Sequence, residues 1–148
     1  MSITWKIREA RTEDSDGLKS CMESSYATYQ DRMGGERLPP MDVDYLSEIL
    51  NYPTWVVASG ENILGGLIMV FENNEASIAN IAVDTKFQGQ GIGGALMKFA
   101  ESKAKEKHLF ELHLATHILL LENISLYKHL GWVETGRDNT RLFFKKTI

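Results

Sequence analysis

Residues Val83 to Gly94 read VDTKFQGQGIGG: the end of a β-branched strand, a glycine-rich loop and, from Ile92, the start of a helix. Three pieces of physical chemistry meet there. Glycines take positive φ and let a ligand come close to the backbone. The first amides of a helix have no intrahelical partner. The helix dipole adds partial positive charge at the same end. Together they make a cradle for a phosphate or pyrophosphate. A nucleotide P-loop needs Gly-Lys-Ser/Thr, and the chain has no such run. Gly89-Gln90-Gly91-Ile92-Gly93-Gly94 fits the dinucleotide pattern G-x-G-x-x-G letter for letter. That fingerprint, however, follows the first strand of a βαβ repeat, with an acid about 20 residues later. Here the loop follows a third or fourth antiparallel strand, past the chain's midpoint. A tight turn with no ligand and a dinucleotide site are the alternatives at this point.

Outward from the loop, the pattern is an α/β unit with a mixed sheet. Upstream, Thr54 to Ser59, Ile63 to Phe71 and Ala76 to Val83 are β-branched and aromatic runs joined by Gly60-Glu61-Asn62 and Glu72-Asn73-Asn74, which predicts an antiparallel meander. Gly65-Gly66 inside the middle run predicts a bulge or a close backbone approach. Earlier, Ile3 to Arg8 alternates like an edge strand. Thr12 is a candidate N-cap for a first helix to about Arg32, closed by Met33-Gly34-Gly35. Asp42 is a candidate cap for a short second helix through Leu50. Downstream, Ile92, Ala95, Leu96, Phe99 and Ala100 form one apolar helical stripe. Leu109 to Ala115 alternates as a strand, and Glu122 to Leu130 is a short helix closed by Gly131. Trp132 to Thr135 and Leu142 to Lys146 are two last strands. No repeat, linker or low-complexity segment interrupts the 148 residues, so one domain is expected.

Composition bounds the function. Hydrophobic residues make up 43% and charged residues 24%, which suits a packed core rather than a disordered chain. The net charge of −4 argues against a nucleic-acid binder working through bulk charge. A mildly acidic surface is a weak hint of a cationic substrate. One cysteine, Cys21, excludes an intrachain disulfide. No apolar run approaches the roughly 18 residues that cross a bilayer, and Met1 to Ala10 lacks the apolar block of a signal peptide. A cytoplasmic location, no membrane and no nucleic-acid partner are the expectations.

At this level the residues resemble a known family. Gln88-x-x-Gly91-x-Gly93 is similar to the acyl-CoA signature Q/R-x-x-G-x-G/A of the GCN5-related N-acetyltransferases, the GNAT family. ANIAVD (Ala79 to Asp84) resembles its central strand, ENISLYKHLGWVETGR (Glu122 to Arg137) its C-terminal helix-turn-strand block, and LFFKK (Leu142 to Lys146) its last strand. Tyr26, Tyr29, Arg32 and Pro39 to Met41 resemble one bacterial subgroup. The resemblance spans essentially the whole chain. It implies a single-domain fold with a mixed, mostly antiparallel central sheet, a splay between two parallel strands and about four flanking helices. It also implies acetyl transfer from acetyl-CoA to a primary amine by direct attack in a ternary complex, with no metal. A catalytically weak acyl-CoA-binding module of the same fold is the alternative.

Carried over residue by residue, the resemblance puts the pyrophosphate on the amides of Gln88, Gly89, Gln90, Gly91, Ile92, Gly93 and Gly94. The pantetheine arm lies between Ile81–Val83 and Leu112–Ala115, with Ile81, Ala82 and Val83 contributing backbone. Donors aimed at the thioester oxygen stabilise an oxyanion by about 3 kcal/mol each. Tyr127 matches the family's general acid toward the departing thiolate, and is otherwise a packed helix aromatic. Asn123 either bonds the pantetheine arm or caps its helix; the family's usual asparagine position is Leu120 here. The family's frequent catalytic glutamate falls near Asn80, which accepts no proton but can orient a water. Among Glu75, His113 and His117, His117 is the candidate base because histidine titrates in the right range; loss of the amine proton to water is the other route. Tyr26, Tyr29, Arg32, Asn80, Glu36 and Met41 are candidates toward the amine, with Arg32 pairing either a substrate carboxylate or Glu36. Arg137 and the turn after it are expected to border the pocket. Cys21 lacks any activated-thiol signature, which argues against a covalent intermediate. Exposed C-terminal strands of this fold often pair across a homodimer.

Overall fold

Two-residue turns set the first half of the sheet. Asn73 (φ 53°) and Asn74 (φ 61°) are both left-handed, the geometry of a type I′ hairpin, and they join β3 (Asn62–Glu72) to β4 (Glu75–Val83). Gly60 (φ 59°) does the same work between β2 (Thr54–Ser59) and β3. The computed structural model describes residues 4–148. Its seven strands form one sheet in the order β1-β2-β3-β4-β5-β7-β6, with β1 at Lys6–Glu9, β5 at Glu111–His117, β6 at Val133–Arg137 and β7 at Arg141–Thr147. Every neighbour pair is antiparallel except β4 with β5. Four helices cover it: α1 (Ser15–Ala27), α2 (Tyr45–Asn51), α3 (Ile92–Glu106) and α4 (Leu121–His129).

The sheet is buried on both faces. On one, Trp55, Val57, Leu67, Met69, Ala76 and Ile78 pack against Ile92, Leu96 and Ala100 of α3, and the same cluster continues through Leu112 and Phe144 to Tyr127 of α4. On the other, Val56, Ile68 and Ala82 pack against Leu18 and Met22 of α1 and Tyr45 of α2. The expected close approach at the paired glycines is present: a Cβ on Gly66 would lie 2.4 Å from Leu18 Cδ1, and one on Gly65 3.0 Å from the Ala82 carbonyl. A bulge accompanies it, since Val57 pairs Gly65 but Ala58 pairs Ile63.

A second bulge decides the function-bearing geometry. Ile68 pairs Asn80 while Met69 pairs Ile78, so Ala79 is the extra residue. An inserted residue flips the alternation. Before it, Ala76 and Ile78 face α3; after it, Ala82 faces α1 while Ile81 and Val83 join the α3 side. Parallel pairing of β4 with β5 extends over Ala76–Leu112 and Ser77–His113 only. Beyond that point the strands diverge, and this is the expected splay.

Several boundaries differ from the sequence reading, each for a local reason. α1 stops at Ala27 and the chain turns before a 3₁₀ turn at Asp31–Met33. Thr12 opens a 3₁₀ turn instead of capping the helix. Asp14 is the organising acid, taking the Arg11 amide at 2.7 Å and the Arg8 guanidinium at 2.7 and 3.0 Å. Asp44, not Asp42, caps α2 by accepting from the Ser47 amide, because Asp42 is held by Arg37. β5 begins at Glu111 and includes His117, two residues later than its alternation suggests. Ile3 lies outside the described residues.

Candidate active site

Two clefts open where β4 and β5 separate. The first, about 400 Å³, lies against the glycine loop and is lined by Ile81, Ala82 and Val83, the loop from Phe87 to Gly94 apart from Gln90, and Asn123, Leu126 and Tyr127 of α4. The second, about 510 Å³, is lined by Asn80, Leu114 to His117, Pro39, Pro40, Thr140 and Arg141. Tyr26, Ile81, Asn123 and Tyr127 line both, so the clefts meet at those four residues.

Gly89 (φ 84°) and Gly91 (φ 81°) are both left-handed, and Gly91 is the residue that enters α3. A Cβ at either would meet nothing within 4 Å. The glycines are therefore required by backbone conformation and leave the loop surface bare, with the amides of Ile92, Gly93 and Gly94 unspent by the helix. Gln88 folds back, its Nε2 donating to the Val83 carbonyl at 3.4 Å. The Ser25 hydroxyl donates to the same carbonyl at 2.7 Å and ties α1 to the end of β4.

Tyr127 is clamped edge-on by Trp132 at 6.1 Å and by Phe144 at 6.0 Å between ring centres. It is thus a core aromatic and a cleft residue at once. Burial, with a smaller contribution from Tyr29, pushes its phenol up to about 12. Burial also holds the Tyr26 phenol well above its ordinary range. Tyr26 and Tyr29 sit 6.4 Å apart, and Tyr29 lines the first cleft only. Asn123 is the third residue of α4, so it does not cap that helix; the cap position is the buried Leu120.

Asn80 lies on the α1–α2 side after the bulge. Its Nδ2 donates to the Tyr45 hydroxyl at 3.3 Å, and Tyr45 in turn donates to the Pro40 carbonyl. Its Oδ1 is buried and has no hydrogen-bond partner among the described residues. His117 lines the second cleft, but its Nδ1 accepts from the Leu119 amide at 3.1 Å. The neutral ring therefore carries its proton on Nε2 and acts as a donor. That geometry opposes the expected base role.

Arg32 is engaged elsewhere than the sequence suggests. It makes two 2.7 Å bonds to Glu122 of α4 and a third, at 3.0 Å, to the Leu119 carbonyl, and does not pair with Glu36. This guanidinium holds the Glu122 carboxyl down at about 2. Arg32 lines neither cleft; it fastens α4 to the segment after α1. Arg137 is bound by Glu134, and its neighbour in the turn, Arg141, is the arginine that reaches the second cleft. Sequence reading expected the turn after Arg137 at the pocket, where Thr140 and Arg141 do lie, but it did not single out Arg141, whose only signal of its own was its place at the start of the last strand. Met41 is core, packed with Leu38 and Leu120. Cys21 is buried, its thiol pushed up to about 12 by burial, and it lines neither cleft. Among the described residues no group of three or more His, Cys, Asp or Glu is placed to hold a metal, and no helix is long and apolar enough to cross a membrane.

Residues 51–134 match the family model described as an acetyltransferase (GNAT) domain, which is more than half of the chain. The chain belongs to the GNAT family. It is 28% identical over 89 residues to N-acetyltransferase 8B of Rattus norvegicus, a match covering 56% of this chain and 40% of that protein. The match to the Homo sapiens protein of the same name, 29% over 90 residues, likewise covers 40% of it. This chain thus spans well under half the length of the curated relatives it matches. Among solved structures, the PaiA N-acetyltransferase of Thermoplasma acidophilum in complex with coenzyme A superposes with a TM-score of 0.86 at 18% identity, covering 99% of this chain and 100% of that one. The ribosomal-protein-S18-alanine N-acetyltransferase of Escherichia coli gives 0.75 at 19% identity, covering 98% and 94%. At such identities these two likenesses speak for the fold of this GNAT member.

Proposed function

We propose that this GNAT chain transfers an acetyl group from acetyl-CoA to a primary amine, with the first cleft taking the acyl donor and the second the acceptor. The carrying observation is the meeting of the two clefts at Tyr26, Ile81, Asn123 and Tyr127, one cleft walled by a bare helix-start loop and the other by the splayed strands. The donor supplies the thioester and the thiolate leaving group. The loop residues 88–94 hold its pyrophosphate through backbone amides, and Ile81 to Val83 and Asn123 border its pantetheine arm.

The amine nitrogen attacks the thioester carbonyl directly. Cys21, buried and protonated, offers no covalent alternative. Asn80 Oδ1, buried and unpartnered, is a ready acceptor for the amine N–H. It orients the nucleophile without taking its proton, which goes to water. Magnitudes decide the part played by Tyr127. A phenol at about 12 giving its proton outright to a thiolate whose acid lies near 8.5 is uphill by roughly 5 kcal/mol. A hydrogen bond from the neutral phenol to the departing sulfur costs nothing of the kind. Tyr127 therefore stabilises the leaving thiolate as a donor. A cytoplasmic location, expected from the lone cysteine, the lack of a spanning apolar run and the start of the sequence, is part of this reading.

Thermal unfolding with acetyl-CoA, CoA, NAD and ATP in parallel tests it. A ligand at 100 times its Kd adds about 2.7 kcal/mol, or roughly 5 to 10 °C for a chain of this size. Both CoA species are expected to shift the transition and NAD and ATP to leave it in place. Gly91→Val, which forces a β-branched residue into φ 81°, is expected to abolish the shift. A shift with NAD alone, or with nothing, overturns the assignment. Thiol release over an amine panel then separates an enzyme from a CoA-binding module.

A further inference from the structure

The chain has 20 acidic residues. Among the described residues no Asp or Glu lines the donor cleft, the acceptor cleft or the third hollow at Ser77, Thr135 and Phe143. The acceptor cleft is instead lined by a fixed cation, Arg141, and by the imidazole of His117. These two are cross-strand partners, His117 ending β5 opposite Arg141, which begins β7. Both present donors. The Leu119 amide occupies His117 Nδ1, which leaves Nε2 as an N–H. Arg141 gives Nε and Nη2 to Asp138 Oδ2, at 3.2 and 3.0 Å, and of its five N–H groups those on Nη1 and the second on Nη2 are unspent. Thr140, beside them, also lines the cleft.

Asp138 pairs with Arg141 and offsets much of its charge, but it leaves three guanidinium N–H groups open as donors. It lies outside the lining, and its oxygens are already engaged. Oδ1 accepts from the Thr140 and Arg141 amides and the Thr140 hydroxyl, and Oδ2 accepts from the Arg141 guanidinium. An incoming ammonium finds no carboxylate in the lining to replace its water.

We propose that the acceptor is an amine that also carries a carboxylate, an amino-acid or peptide-like molecule whose carboxylate docks on Arg141 and His117 at the exposed end of the acceptor cleft while its amino group reaches toward Asn80. Guanidinium and imidazole N–H donors suit a planar carboxylate, and the carboxylate neutralises a molecule that would otherwise enter as a cation. A polyamine or a polycationic antibiotic finds donors and no carboxylate in the lining. The proposal rests on the second cleft being the acceptor site, and it runs against the weak hint of a cationic substrate drawn from net charge.

Binding decides it without turnover. Calorimetry with and without saturating CoA compares alanyl-alanine and a series of ω-amino acids of two to six carbons with the carboxamide of each, and with spermidine. At least one acid is expected to bind ten-fold or more tighter than its amide, a gap of about 1.4 kcal/mol. Arg141→Gln is expected to bring that pair together and Arg141→Lys to restore part of the gap. The turn at Asp138 survives either change because the Thr140 and Arg141 amides that donate to Asp138 Oδ1 belong to the main chain. Equal binding of every acid and amide, spermidine binding tighter than all the acids, or a gap that persists in Arg141→Gln overturns the proposal. The CoA titration reads the acyl-donor assignment separately, so a protein that prefers the acid but does not bind CoA would sink that assignment alone.

Discussion

Tyr127 carries two burdens, and they separate experimentally. Its ring is packed between Trp132 and Phe144, while the residue also lines both clefts. Tyr127→Phe keeps the ring and removes the donor. A hydrogen bond to a charged partner is worth about 1.5–3 kcal/mol, so kcat is expected to fall about 10- to 150-fold with KM for acetyl-CoA little changed, as for an interaction made only as the sulfur leaves. Wild-type kcat would remove Tyr127 from the chemistry, and a parallel rise in KM would make it a binding group. Because burial holds the phenol of the free enzyme at about 12, the kcat/KM profile of the wild type should show no falling limb from this residue below about pH 11. At this scale the sequence carried much of the first cleft's lining, since glycines at a helix start and a tyrosine at a motif position are local facts. It did not carry the hydrogen bond from Leu119 that turns His117 into a donor, or the capture of Arg32 by Glu122 across 90 residues, because both depend on where the loop after β5 comes to rest.

The elements are positioned by two glycines and one extra residue. Gly66 lets α1 lie directly on β3: Leu18 and Met22, neither exposed to solvent, fill the space a side chain would need. Gly66→Ala is expected to destabilise the fold by about 1–3 kcal/mol through overpacking, read as a lower denaturant midpoint at unchanged slope. A neutral result would show that Leu18 swings aside freely. Since α1 also ties down the end of β4 through Ser25 and Val83, the same variant should weaken CoA binding, though nothing it touches lines the loop. The placement of β7 between β5 and β6 is a long-range fact, whereas the meander of β2, β3 and β4 was legible in the sequence because alternation and turn residues are short-range. The Gly65-Gly66 pair announced close approach for the same reason. The bulge at Ala79 was not legible, because an extra residue in β4 is defined only against its partner in β3. Yet that residue sends Asn80 toward Tyr45 and coincides with the parting of β4 from β5 that opens both clefts.

Taken whole, the molecule is a sheet buried on both sides, and its protonated core groups couple the site to global stability. Burial raises the Cys21 thiol from 9.0 to about 12 and the Tyr127 phenol from 10.0 to about 12, and it also raises Tyr26 and Tyr45. A raised pKa in the folded state favours the protonated form there. Below pH 9 both folded and unfolded chains hold these protons, so the groups leave stability independent of pH. Above 9 the unfolded chain releases the Cys21 proton first, and stability falls as pH climbs toward 12. The loss from Cys21 alone is about 1.4 kcal/mol at pH 10 and on the order of 4 kcal/mol at pH 12, a large share of the 5–15 kcal/mol typical of a domain. The phenols add to it from pH 10 upward. Urea unfolding of the wild type and Cys21→Ala at pH 8, 9 and 10 isolates the thiol by difference, because the phenols, about half ionised in the unfolded chain at pH 10, cost both proteins alike. The wild type is expected to lose stability by pH 10. Cys21→Ala is expected to start lower at pH 8, because of the small cavity it leaves beside α1, and to lose about 1.4 kcal/mol less than the wild type between pH 8 and pH 10. Parallel slopes for the two proteins would mean that the thiol is solvated in the folded state and that the α1 face of the sheet is looser than its packing implies.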